Sequence, residues 1–107
     1  MTKTIVIPHN KAFVDYLIKH GYVEPDVEVE EDLRDASIRG KDVIGNFQIG
    51  NMSVRRARKA RSITEFNLKI TPDMIGRELT LSDIEKVVKP PKTYAVTALP
   101  ALRKLKK

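Results

Sequence analysis

Lys3-Thr4-Ile5-Val6-Ile7-Pro8-His9-Asn10 is the stretch whose reading decides the fold. Its centre is β-branched and continuously apolar, the pattern of a short strand buried on both faces. Pro8 ends that strand because it brings no backbone N–H to a ladder. Asn10 then suits the cap of a following helix, whose apolar stripe is Phe13, Val14, Leu17 and Ile18. Gly21 is placed to close the helix. A strand leading directly into a helix is the start of a βα unit.

Downstream the same alternation continues. Val27–Glu30 interleaves valine with glutamate and reads as an exposed edge strand. Asp42-Val43-Ile44-Gly45 reads as a second compact strand, followed by the polar, glycine-bearing connection 45–53. Met52 to Ala60 reads as a helix with Val54, Ala57 and Ala60 inward and Arg55, Arg58 and Lys59 outward. Thr64, Phe66, Leu68 and Ile70 alternate with polar residues as a strand would. Thr80 or Ser82 caps a helix that ends near Val88, before Pro90-Pro91. Tyr94, Val96 and Ala98 suggest a last strand. This order predicts an α/β, Rossmann-like fold: a mostly parallel central sheet of about five strands flanked by about three helices. The expected organisation is one domain over 1–99 and a basic tail over 100–107.

Composition bounds the rest. The 107 residues are 41% hydrophobic and 32% charged, which suits one globular domain. No cysteine is present, so disulfides, thiolate metal sites and a cysteine nucleophile are excluded. With two histidines, no metal constellation is expected. No apolar run reaches the length of a membrane span, and a cytoplasmic protein is expected. Charge is unevenly spread: Glu24 to Asp35 carries seven acids against one arginine, a net −6 in a chain of +6. The remaining residues therefore sum to +12, concentrated at Arg55–Arg61 and in the tail. Such segregation favours an anionic partner at one face.

In sheets of this type ligands bind beyond the carboxyl ends of the strands, where the strand-to-helix loops converge. Two loops qualify, Pro8–Lys11 and Gly45–Ser53. Gly45 and Gly50 allow close backbone approach; Asn10, Asn46, Gln48, Asn51 and Ser53 offer neutral donors; Arg55, Arg56 and Lys59 add positive charge. His9 stands where a side chain can exchange protons near neutral pH. Each of these also fits an ordinary solvated loop or helix face.

Asp42-Val43-Ile44-Gly45 and Gly76-Arg77-Glu78-Leu79-Thr80, with a histidine at the end of the first strand, resemble motifs of the small Csx-type CRISPR-associated accessory proteins grouped with the ring nucleases. Pro8 and Lys11 stand where that family tends to have Arg and Gly around the histidine. The resemblance implies a homodimer that binds a cyclic oligoadenylate, most simply cyclic tetra-adenylate, and opens it without metal or other cofactor. It implies His9 as general acid or base, with Lys11 and Arg55 steadying transition-state charge. Asn46, Gly50, Asn51 and Ser53 would hold phosphates, and Phe47 would meet an adenine. Glu78 beside Arg77 would organise a loop by ion pairing. A binder that sequesters the ring without cleaving it is one alternative. A small RNA- or DNA-binding accessory protein using the basic helix and tail is another, and an acidic-edge interaction protein a third.

Overall fold

The computed structural model describes residues 3–8, 10–32, 37–46 and 52–97. Strand β1 (Thr4–Ile7) leads into helix α1 (Lys11–Lys19), followed by strands β2 (Glu28–Val29) and β3 (Asp42–Gly45). Helix α2 (Val54–Ala57), strand β4 (Ser62–Glu65), helix α3 (Leu81–Val87) and strand β5 (Lys92–Tyr94) complete the order. The strands form one sheet in the order β2-β1-β3-β4-β5. β1 runs parallel to β2 and β3, and β3 parallel to β4; only β5 is antiparallel. The described residues therefore have the expected α/β, Rossmann-like architecture of a mostly parallel five-stranded sheet with three α-helices.

Side chains alternate across a strand, so β1 feeds two cores. Ile5 and Ile7 pack with Ile38, Val43, Ala57, Ala60 and Ile63 on the α2 face. Val6 points the other way, into Phe13, Tyr16, Leu17, Phe66 and Ile84 beneath α1 and α3. Burying each large apolar chain of this kind contributes about 1.5–3 kcal/mol. Phe66 is the hub of the second core: the rings of Phe13, Tyr16 and Tyr22 meet it edge-on at 5.5, 6.1 and 5.2 Å.

The helix ends follow local chemistry. The Asn10 side-chain oxygen accepts the Phe13 N–H at 3.1 Å and caps α1. At the other end the N–H groups of Gly21 and Tyr22 bond to the carbonyls of Ile18 and Leu17, with Gly21 at φ +76°. That Schellman closure needs the left-handed backbone glycine adopts without strain. Thr80 caps α3 in a reciprocal box with Asp83.

Three sequence expectations need correction. Helix α2 has only four residues, Val54–Ala57, and Val54 is 75% exposed rather than inward. Ala57 and Ala60 are buried as expected, but Ala60 reaches the core through the turn after the helix. Strand β4 is Ser62–Glu65, earlier than the alternation at 64–70 implied, because its partner β3 ends at Gly45. Leu68 keeps a lone bridge to Val88, and Ile70 is exposed. The last strand stops at Tyr94, although Val96 still packs on the α2-face core. Ala98 and the 100–107 tail lie outside the described residues.

Candidate functional site

The strand order reverses between β1 and β3, which makes their carboxyl ends the topological switch of the sheet. Pro8, Asn10, Gly45 and Asn46 are the described residues there. Gly45 is buried as the last residue of β3, and its carbonyl accepts the Phe66 N–H at 2.9 Å. Asn46 is also buried, at 6% exposure, and the Asn10 oxygen is committed to the α1 cap. His9, Phe47, Gln48, Gly50 and Asn51 lie outside the described residues.

A second place forms where α2 meets the approach to β3. Ile38-Arg39-Gly40-Lys41 turns tightly, with the Lys41 N–H on the Ile38 carbonyl at 3.0 Å and Gly40 at φ +70°. Glycine in the third position with positive φ is the pattern of a type II turn. The Gly40 N–H then donates to the Lys59 carbonyl at 2.8 Å, and the Arg61 N–H to the Lys41 carbonyl at 2.8 Å. Below, Ile38 is 3% exposed in the core. Arg39 is thus set between a buried isoleucine and a pinned glycine. Opposite it, Ser53 caps α2 by accepting the Arg56 N–H at 3.2 Å.

Turn and helix enclose a hollow of about 390 Å³ lined by Ser37, Ile38, Arg39, Ser53, Arg55, Arg56 and Lys59. That volume lies at the lower end of ligand sites, which run from roughly 300 to 1,000 Å³. Its described lining holds four cationic residues and two serines, and neither a carboxylate nor an aromatic ring. Nearby cations differ. Lys41 pairs with Glu28 at 2.9 Å, and Arg61 with Asp42 at 2.8 Å. No described carboxylate lies within ion-pairing distance of Arg39, Arg55 or Lys59. Among the described residues the charges of Arg39, Arg55 and Lys59 are therefore unopposed at the hollow.

The hollow brings together Ser53, Arg55, Arg56 and Lys59 of the residues singled out in the sequence. It does not include Lys11. That lysine begins α1 on the other face of the sheet and lines a separate hollow of about 360 Å³ with Asp15, Glu78 and Thr80. Ser37, Ile38 and Arg39 were missed, because only the folded turn carries them to α2. The available signal was Arg39-Gly40 after an apolar residue, a turn signature next to a basic helix.

Arg77 also differs from the sequence expectation. Its guanidinium binds Asp83 at 2.7 and 3.2 Å, and touches Glu78 only through the Glu78 backbone carbonyl. Hydrogen bonds from Arg77 and the Thr80 N–H hold the Asp83 carboxyl well below the usual range. His20 follows α1 and meets Glu85 of α3 at 3.0 Å, beside Lys19 at 3.1 Å. Those two partners, Lys19 foremost, lower the Glu85 carboxyl. Burial, then the neighbouring Tyr22, raises the Tyr16 phenol. These clusters tie loop to helix and helix to helix.

Among the described residues no group of three or more His, Asp or Glu side chains converges to hold a metal ion. Nor is any described helix long and apolar enough to cross a membrane. Comparison of the chain with protein-family models, with curated proteins and with solved structures finds no match.

Proposed function

We propose that this chain binds a cyclic oligoadenylate, most simply cyclic tetra-adenylate, through its phosphates at the basic hollow, and opens the ring without metal. The single observation that carries the binding is the convergence of Arg39, Arg55, Arg56 and Lys59 on one hollow with no carboxylate in its described lining. Guanidinium groups hold phosphate by paired, charge-assisted hydrogen bonds, and hydroxyls such as Ser37 and Ser53 complete the coordination. The ring as the particular ligand rests on the resemblance of the Asp42–Gly45 and Gly76–Thr80 motifs. A hollow of this size takes part of such a ring, so two copies related by a two-fold axis would share one ligand.

In the cleavage step a ribose 2′-oxygen attacks the adjacent phosphorus in line and gives up its proton to a base. The bond from phosphorus to the 5′-oxygen breaks, and that oxygen takes up a proton. The products are a 2′,3′-cyclic phosphate and a free 5′-hydroxyl. His9 is assigned the proton transfers. Arg55, at the hollow, steadies the charge on the pentacoordinate phosphorus. Lys11 lines a different hollow, so Arg39 and Lys59 take its place in this reading.

The separation of Lys11 from Arg55 favours a second reading, in which the ring is held intact and sequestered. A long nucleic-acid strand fits less well, because the cations converge on a hollow whose described lining offers no stacking ring.

Titration of labelled cyclic tetra-adenylate tests the binding. Each charge-assisted hydrogen bond is worth about 1.5–3 kcal/mol, so Arg55→Ala or Lys59→Ala should weaken affinity about tenfold or more. Unchanged affinity in both variants would remove the hollow from the account.

A further inference from the structure

The walls of the hollow go beyond that reading, on which the next step rests. One wall is the α2 segment, Ser53 to Lys59; the other is the turn carrying Arg39. They are joined by the Gly40 N–H on the Lys59 carbonyl at 2.8 Å, and the turn is anchored below by Ile38. The spacing between Arg39 and the α2 cations is thereby set by backbone bonds and a buried side chain. A site spaced in advance spends less of its binding energy on ordering itself. The described lining has positive charge on both walls, hydroxyls on both walls and no ring to stack a base.

We infer that this hollow is a polyphosphate clamp, with Arg39 on one wall and Arg55 and Lys59 on the other, which grips ligands by two or more phosphate charges and leaves any base outside. Arg39 contacts the ligand, and Gly40 is a positioning residue. The chemistry it reads is shared by consecutive phosphodiesters of an oligonucleotide and by condensed inorganic phosphate. Affinity therefore follows charge and not the nucleobase, and it falls as salt screens the clamp.

The experiment is calorimetric titration of the full chain with inorganic tripolyphosphate, with adenosine, and separately with cyclic tetra-adenylate. Tripolyphosphate is expected to bind, to compete with the ring and to weaken steeply with added salt, while adenosine does neither. Arg39→Ala should lose about tenfold in affinity for tripolyphosphate, and Lys86→Ala, on exposed α3 surface, should lose none. A β-carbon at Gly40 meets no atom within 4 Å, so a substitution there acts only through φ +70°. Gly40→Val should therefore weaken binding, and Gly40→Asn, which tolerates that conformation, should restore most of it. Ring binding without tripolyphosphate binding would overturn the clamp and leave the proposed function standing. Binding of tripolyphosphate with no affinity for the ring would do the reverse. Unchanged tripolyphosphate affinity in Arg39→Ala, or no binding of either ligand, overturns the clamp, and the latter overturns the proposed function with it.

Discussion

Arg77 forks onto Asp83, with Nη1 2.7 Å from Oδ2 and Nη2 3.2 Å from Oδ1. The same carboxylate accepts the Thr80 N–H at 2.9 Å, so one side chain ties the segment after Pro72–Met74 to the first turn of α3. Asp83 is consequently more acidic in the folded chain than an ordinary aspartate. Its stabilising contribution is complete above the unfolded value of about 4, and is lost as pH falls through the lower folded value. Arg77→Gln should destabilise the fold by a constant amount above about pH 5, and the gap to the parent protein should shrink below about pH 4. Urea unfolding across that range reads it. A gap that stayed constant down to pH 2 would show that Asp83 owes its acidity to other groups.

The Glu85 carboxyl gives a direct titration. Lys19 is the larger cause of its lowered pKa and His20 the next. Carboxyl carbon shifts by NMR should place Glu85 below an ordinary glutamate. Lys19→Ala should move it upward further than His20→Ala does; the opposite ranking would contradict the geometry of this pair.

Caps are expected to matter at the starts of α1 and α3. Asn10→Ala and Thr80→Ala each remove a side-chain acceptor from a helix N–H and should cost about 1 kcal/mol apiece in denaturant unfolding. The two sites share no partner, so the double variant should show the sum.

Phe66→Ala should be far more costly. Phe66 is 1% exposed and gathers three aromatic rings, and truncating such a residue costs about 3–5 kcal/mol. That is a large share of the roughly 5–15 kcal/mol by which a domain is stable. A melting temperature close to that of the parent would contradict the packing described for the α1–α3 face.

The fold was readable where local chemistry and tertiary packing agree. Thr4–Ile7 is β-branched and sits between two strands, and Asn10, Gly21 and Thr80 do at their helix ends what their side chains or backbone freedom suit them to do. It was less readable where pairing sets the limits. Thr64, Phe66 and Leu68 keep a common face, but a strand lasts only as long as its neighbour, and β3 ends opposite Glu65. Val54 has the right spacing from Ala57 for an inward face, yet a single-turn helix leaves it uncovered. The site was half readable for a similar reason. Arg55, Arg56 and Lys59 are neighbours in sequence, whereas Arg39 joins them through the fold, by the Gly40–Lys59 bond and the burial of Ile38. Lys11 is close to His9 in sequence but starts a helix on the opposite face of the sheet from α2.

The most direct measurement is incubation of the purified chain with cyclic tetra-adenylate in EDTA, followed by chromatography of the retained and released nucleotide. The account predicts retention followed by linear product ending in a 2′,3′-cyclic phosphate, with both diminished in Arg55→Ala. Intact ring recovered entirely in the unbound fraction would contradict it.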